Sequence, residues 1–498
     1  MDNYILAMDQ GTTSSRSILF DKNGKEVAIS RKEIRQYYPR PGWVEHDPYE
    51  IWETQLATAR DVLKKSGIGP ESVAAIGITN QRETVVIWER NTGRPVAPAI
   101  VWQCRRTKEI CDDLKARGLE KLFKEKTGLV IDPYFSGTKI SWMLENVSGL
   151  KAKADKGELL FGTIDSWLIY NLTGLHLTEP SNYSRTMLYN INIGTTDREI
   201  LGILGIPFEM CPLHKFSSGD FGKTKAPLFG KEIRIAGVAG DQQAALFGQT
   251  CFSEGEIKNT YGTGCFTLEN TGTNIVRSKN NLLTTVAWDL ENGPVYALEG
   301  SVFVAGAVVQ WLRDELKLIS NAEETCAIAL SVADTGGVYC VPAFTGLGAP
   351  YWDDGARGTF VGITRGTGKA HFVRAALESI AFQSADLIRA IENDSGKKIT
   401  ELKVDGGASR NDFLMQFQAD ILGIPVVTAQ TPDTTALGGA FLAGLGVGFW
   451  DSQETIRKTW KRKKQYMPRM ADALRERLLS GWRDAVAASR VFKNNKTE

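Results

Sequence analysis

The chain is poor in the residues and patterns that mark several large classes of protein. Histidine occurs four times in 498 residues, at His46, His176, His214 and His371. No two of them form an H-x-x-x-H pair, which argues against a helical zinc-hydrolase site. The seven cysteines are odd in number and include no C-x-x-C pair. A disulfide framework is therefore not expected, and reduced thiols in a cytoplasmic setting are. Net charge is almost nil: 59 Lys and Arg against 58 Asp and Glu leave +1. No global field attracts nucleic acid or an anionic membrane. The opening residues, MDNYILAMDQG, carry an acid instead of a basic segment, and their apolar run ends at Asp9, so no targeting segment is expected. Residues 434–450 are uncharged but contain five glycines. They fall short of the ~20 mostly apolar residues of a membrane span and read as a closely packed buried helix.

Two familiar nucleotide signatures are missing as well. Gly222-Lys223-Thr224 resembles the end of a P-loop, but Ser217 stands where its first glycine belongs, and Gly368-Lys369 is followed by Ala370. No G-x-G-x-x-G follows a strand. P-loop and dinucleotide-binding folds are both disfavoured.

The remaining composition is that of a globular chain, 42% hydrophobic and 23% charged. The length suits about three average domains or two large ones. Residues 4–8, 16–20 and 25–29 read as three strands joined by Gly11-Thr12-Thr13 and by the Asn23-Gly24 turn. Residues 73–78, 84–88 and 233–238 read as further strands, and 49–65, 371–393 and 412–421 as helices. This alternation predicts α/β layers. Residues 8–24 and 259–272 each place Gly-Thr before an apolar strand and a closing Gly turn. Duplication of one α/β unit would explain this faint repeat, as would chance. The expected division is 1–244 and 245–498, about a hinge.

Asp9 ends a strand before Gly11-Thr12-Thr13-Ser14-Ser15-Arg16. Backbone N–H groups and hydroxyls in such a turn cradle polyphosphate, with Asp9 near Mg²⁺ and Arg16 neutralising charge. The alternative is a hairpin whose hydroxyls satisfy their own backbone. Gly262-Thr263-Gly264 offers a second turn of the same kind. In residues 404–411, VDGGASRN, the glycines admit a flat ligand, while Ser409 or Asn411 would equally cap the following helix. Arg82-Glu83 pairs a donor with an acceptor, or is an exposed ion pair. Tyr134 and Trp102 serve a site or a core. Residues 301–311, SVFVAGAVVQW, read simply as a buried helix, and Lys461-Arg462-Lys463-Lys464 as a solvated helix end.

Several longer segments resemble the FGGY carbohydrate kinases. They are DQGTTSSR at 9–16, NQRET at 80–84, YFSGTKISWMLEN at 134–146 and AGDQQAALFGQ at 239–249. NTYGTGCF at 259–266, GTFVGITRGTGKAHFVRAALE at 358–378 and VDGGASRNDFLMQFQAD at 404–420 complete the set, so the resemblance runs from about residue 4 to 450. It implies two ribonuclease-H-like, actin-like α/β domains with the active site in the cleft between them. The implied reaction is Mg²⁺- and ATP-dependent phosphorylation of glycerol to sn-glycerol 3-phosphate, in a cytoplasmic homodimer or higher homo-oligomer. By the same resemblance Arg82, Glu83, Trp102, Tyr134, Asp241, Gln242 and Phe266 surround the polyol, with Asp241 as general base. Thr12, Thr13, Ser14, Arg16, Thr263, Gly306, Gln310, Gly407 and Asn411 would contact the nucleotide, and Asp9 and Asp241 the metal. The chemistry is coherent, because a buried polyol needs a donor and an acceptor for each hydroxyl. Some family members bind an inhibitory sugar bisphosphate at a Gly-rich basic loop, where this chain has Pro227-Leu228-Phe229-Gly230-Lys231-Glu232-Ile233. The pattern differs, so that inhibition is not carried over. A kinase for another polyol or sugar, or an actin- or chaperone-like ATPase, would share the fold.

Overall fold

The computed structural model describes residues 3–353 and 355–491. The outer ends of the two expected units therefore lie outside the described residues. Two large mixed sheets organise the described residues. In the first, β1 (Tyr4–Gln10), β2 (Ser14–Phe20) and β3 (Glu26–Glu33) form an antiparallel meander. Helix α1 (Pro48–Ser66) covers β2 and β3, opened by the Asp47 side chain accepting from Tyr49 N–H and closed at Gly67 with φ +67°. β4 (Val73–Asn80) lies parallel to β1, and β5 (Ile235–Gly240) parallel to β4. The spatial order is β5-β4-β1-β2-β3. β1 is buried on both faces, as its unbroken apolar run requires, while β3 sits at the edge with its charges in water. β5 runs straight into α2 (Asp241–Gly248).

The second sheet starts with β6 (Ile257–Tyr261) and β7 (Cys265–Asn270), followed by β8 (Leu283–Leu290) and β9 (Gly293–Val302). After α3 (Gly306–Asp314) and the long α4 (Lys369–Ser395), β10 (Leu402–Asp405) leads to α5 (Asp412–Leu422). β11 (Val426–Ala429), α6 (Thr434–Gly446) and β12 (Arg462–Tyr466) close the series. The order is β8-β9-β7-β6-β10-β11-β12. Without the edge strands β8 and β12, it repeats the first sheet: three antiparallel strands, then two parallel ones beside the first. The faint repeat read from 8–24 and 259–272 falls on β1–turn–β2 and β6–turn–β7, which hold equivalent places in the two sheets.

The halves interlock through two equivalent helices. α2 follows the last parallel strand of the first sheet and packs on β6 and β7. α6 follows that of the second sheet and packs on β1, β4 and β5. α6 is apolar all round, as a helix buried between two layers must be. Glycine lets the backbones touch: a Cβ on Gly438 would meet Ala244 O at 1.8 Å, and one on Gly77 would meet Gly439 O at 2.2 Å. Ile5, Phe20, Leu246, Phe247, Phe441 and Trp450 share one core drawn from both halves.

Three expectations change. The 84–88 strand is Val86–Glu89 and pairs with Leu159–Gly162 outside the main sheet. Residues 301–311 are the end of β9 and the start of α3, because Gly306 begins a new helix. The basic run at 461–464 is no helix end. It leads into edge strand β12, where exposed cations discourage further strand pairing. Among the described residues no helix is long and apolar enough to cross a membrane, and all seven cysteines are free.

Gly438→Val is expected to lower stability by about 1–3 kcal/mol or more through overpacking against α2. Gly202→Ala, whose Cβ meets nothing within 4 Å, is expected to be neutral or slightly stabilising. Equilibrium urea unfolding of the two variants checks the contrast.

Candidate active site

β4 ends in a loop that carries part of a buried cluster of charges. Thr84 N–H donates to Arg82 O at 2.7 Å, and the intervening Glu83 has φ +60°. This tight γ-turn is costly for a non-glycine residue and persists because its surroundings hold it. Ser136 Oγ donates to Glu83 O at 3.1 Å. Arg82 and Glu83 are 2% and 1% exposed, so the exposed-ion-pair alternative does not hold. Arg82 reaches across the cleft to Glu299 on β9, with contacts of 2.5 and 3.0 Å. Arg185 donates to Glu83 at 2.7 Å and to the same Glu299 at 3.0 Å. Two cations and two anions are thus closed off together. Burial alone would push the Glu299 carboxyl up. Arg185 and Arg82 outweigh it and hold the group at about 2. Burial raises Glu83 despite the same two arginines.

The polyol candidates gather beside this cluster. Arg82 Nη2 donates to Tyr134 Oη at 3.3 Å, and Arg82 Nε lies 3.3 Å from Asp241 Oδ1. Asp241 opens α2, with Gly240 as its cap. Its Oδ1 also accepts from Gln242 N–H at 2.8 Å. Asp241 is thus the first helical residue, one place after the cap. Burial raises its pKa, partly against Arg82 and Lys258. Trp102 packs edge-on against Tyr134 and, across the cleft, Phe266, at 5.7 and 6.2 Å between ring centroids. Trp102 Nε1 donates to Thr12 Oγ1 at 2.9 Å and so links this group to the first turn. The structure therefore brings together Arg82, Glu83, Trp102, Tyr134, Asp241, Gln242 and Phe266. Six of the seven come from the first half of the chain, and Phe266 comes from β7 of the second sheet.

The turn residues fall into two sets. Gly11 N–H donates to Ser14 O at 2.9 Å and leaves Thr12 and Thr13 at the hairpin tip. Ser14 is buried, and its hydroxyl accepts from Arg31 Nε at 3.1 Å. Arg16 faces Asp9 in register and bonds it with one amino group, while the other donates to Asp433 at 2.6 Å. Its guanidinium is therefore tied to two carboxylates. Across the cleft, Thr263 O accepts from Ala305 and Ala307 N–H at 2.9 and 3.1 Å, and Gly262 O from Gly306 N–H at 3.0 Å. The first amides of α3 are spent on this turn, while the Thr263 side chain stays exposed. Gln310 is exposed on α3. Gly407 follows Gly406, whose φ of +88° and contact with Tyr261 O exclude any side chain. Asn411 caps α5, accepting from Leu414 N–H at 3.0 Å, and donates to Thr325 at 3.0 Å. Its helix-capping role is thus realised. Among the described residues no cluster of three or more His, Cys, Asp or Glu is arranged to hold a metal.

Sequence reading missed Glu299, Arg185, Lys258 and Asp433. A charged residue inside the apolar run YALEGSV was the available signal for Glu299. Lys258 stood just ahead of the NTYGTGCF segment and attracted no reading.

Two interlocked α/β units around a charge-lined cleft define a two-domain kinase fold. The family description of FGGY carbohydrate kinases matches its N-terminal domain to residues 4–248 and its C-terminal domain to 257–447. A glycerol kinase of Caldanaerobacter subterraneus subsp. tengcongensis is 60% identical over 98% of both chains, and glycerol kinase 2 of Thermotoga maritima 59% identical over 98% of both. The chain belongs to the FGGY family of carbohydrate kinases. Plasmodium falciparum glycerol kinase, solved with ADP, superposes with a TM-score of 0.92 at 37% identity, covering 98% of each chain. A ligand-bound xylulose kinase of Lactobacillus acidophilus follows at 0.88 and 25%, covering 98% of this chain and 99% of its own.

Glu299→Gln leaves one buried arginine charge uncompensated and is expected to cost about 3–5 kcal/mol. Glu299 ionises far below its unfolded value of ~4.3. Its stabilisation is therefore complete above that value and is lost as pH falls through about 2. The gap between wild type and variant should narrow over that acid range in pH-dependent urea titrations. A gap that stays constant down to the lower limit would refute the assignment.

Proposed function

We propose that this protein transfers the γ-phosphoryl group of ATP to glycerol, forming sn-glycerol 3-phosphate and ADP in glycerol catabolism. The observation that carries the reading is the gathering of Arg82, Glu83, Tyr134, Asp241 and Gln242 beside the Trp102 and Phe266 rings. Fixed donors and acceptors alternate there, as a small triol requires. Trp102 and Phe266 pack on its carbon chain. The glycerol kinases cited above, about 60% identical along nearly their whole length, support the same substrate.

Asp241 is the general base. Gln242 N–H and Arg82 Nε hold its Oδ1, which leaves Oδ2 to receive the proton of the attacking hydroxyl. Burial raises its affinity for that proton. A loose phosphoryl-transfer transition state requires only that the hydroxyl be oriented and its proton accepted late, which suits a carboxylate. The triphosphate lies between the Thr12-Thr13-Ser14 and Thr263 turns, and Arg16 turns from its carboxylates toward phosphate. The adenosine end falls near Gly306, Gln310, Gly407 and Asn411. Asp9 and Asp241 would hold Mg²⁺ through their hard carboxylate oxygens, and the Asp9 charge is felt at Asp241. When bound, the ion neutralises phosphate charge.

The two functional units are 1–244 and 245–498, with the division inside α2. Dependence on ATP and seven free thiols support a cytoplasmic site. The homodimer or larger homo-oligomer rests on the family resemblance and is checked by light scattering.

The deciding assay is ADP release from Mg·ATP with glycerol, beside xylulose, gluconate, ribulose and erythritol. Stimulation by glycerol alone is expected, and stimulation by a sugar instead would overturn the substrate. Asp241→Asn should lower kcat by about 10²–10⁴ with little change in nucleotide affinity. Normal turnover in that variant would remove Asp241 from the role of base.

A further inference from the structure

Lys258 is a buried lysine to which the mechanism above gives no role. It stands on β6, in the second sheet, with its side chain inside the protein. Its ammonium donates to Gln242 Oε1 at 2.5 Å, to Thr260 Oγ1 at 2.9 Å and to Phe266 O at 3.3 Å. An ammonium has three donors and no acceptor, so these contacts use it fully. Two of the three oxygens belong to its own sheet. The third belongs to a residue of α2, across the cleft.

The contact with Gln242 has a chemical consequence. An amide has an oxygen that only accepts and an NH₂ that only donates, and rotation by half a turn exchanges them at little cost in shape. A neighbour that can only donate settles the choice: the oxygen must face Lys258. The NH₂ is then turned the other way. It has no protein partner among the described residues. It is also not among the buried side-chain atoms left unpaired, so it stays in contact with solvent. The residue before it is Asp241, whose carboxylate is an acceptor. The two side chains thus present opposite polarities at neighbouring positions.

We propose that Lys258 is a positioning residue that fixes the hydrogen-bond polarity of the polyol site, holding the Gln242 NH₂ toward the substrate. The inference rests on the glycerol-kinase reading above. The group bound beside Gln242 and Asp241 must accept one hydrogen bond and donate another. A hydroxyl does both; an ammonium only donates and leaves the Gln242 NH₂ unpaired. At the other end of the site Arg82 repels an ammonium. The site therefore discriminates between glycerol and its amino analogue 3-amino-1,2-propanediol, although the two have nearly the same shape. Because Lys258 and Gln242 stand on opposite sides of the cleft, the polarity is set by the juxtaposition of the two halves. Burial lowers the Lys258 pKa to about 8, against the opposing charges of Asp405 and Asp241. The ammonium is retained at neutral pH.

The test measures glycerol KM, ATP KM, kcat and inhibition by 3-amino-1,2-propanediol for wild type, Lys258→Met, Lys258→Arg and Gln242→Glu. Lys258→Met frees the amide to rotate. Its glycerol KM should rise on the order of tenfold, with ATP KM unchanged and kcat within a few-fold. Lys258→Arg restores a donor to Gln242 Oε1 and should recover most of the loss. Gln242→Glu pairs one oxygen with Lys258 and turns the other toward the substrate. It should weaken glycerol and strengthen inhibition by the ammonium analogue. Unchanged glycerol KM in Lys258→Met, or equal losses in glycerol and ATP KM, would overturn the proposal. If Lys258→Met does not fold, Gln242→Glu decides: unaltered preference between the two ligands overturns it. Wild type that ignores glycerol would instead defeat the functional reading, so the two failures are told apart.

Discussion

Glu299 accepts from two buried arginines at once, and much of the cleft is arranged around that contact. Arg82 and Glu83 lie in the loop just after β4, Arg185 follows in the same half of the chain, and Glu299 comes from β9 of the second sheet. Any one of these charges left alone in the interior would be severely penalised, whereas two of each sign with short contacts are tolerated. The cluster therefore exists only when both halves are in place. It also holds Arg82 where its Nε meets Asp241 and its Nη2 meets Tyr134. The γ-turn at Glu83, costly by itself, is held by Ser136 at the backbone and Arg185 at the carboxylate.

The same dependence between halves appears in the packing. α2 and α6 each follow the last parallel strand of one sheet and each pack on the other. Their glycines bring backbone to within contact of backbone. An apolar helix with so many glycines has low propensity, so its stability comes from burial between two layers. The arrangement puts Asp241, the first residue of α2, at the junction of both sheets. That junction is where the proposed role of Asp241 as general base would require it.

Gln242 and Gln243 show how single side chains tie this junction together. Gln243 Oε1 accepts from Arg82 Nη1 at 3.1 Å, while its Nε2 donates to Val286 O at 3.2 Å, across to the second sheet. Gln242 gives its oxygen to Lys258. Adjacent amides on one helix are thus both tied to the opposite half, Gln243 with Arg82 of its own half fixing its oxygen. Only one of them keeps a free polar edge toward the cleft.

Much of this was legible in the residues. The meander at the N-terminus follows from short apolar runs and an Asn-Gly turn. Those are local signals, and the structure keeps them with shifts of a few residues. The uncharged stretch 434–450 reads as a closely packed buried helix, and residues 434–446 are one, while 447–450 turn away after it. The segments around Arg82, Tyr134, Asp241 and Phe266 identified a family and with it a gathering of residues more than 180 positions apart. Local reading failed where one segment has two fates. Residues 301–311 are apolar enough for either strand or helix, and only the sheet and Gly306 divide them. The basic run at 461–464 looks solvated in any conformation, and only pairing with β11 makes its residues 462–464 part of a strand. Lys258, Arg185 and Glu299 carried no signal for their partners, because a charge in a sequence does not name its counter-charge. The sequence alone thus determined most of the local elements and the family, since these depend on residue type and short-range order. Tertiary structure alone decided which charges neutralise one another and which way an amide faces. Both depend on long-range contacts that form only when the two sheets close on each other.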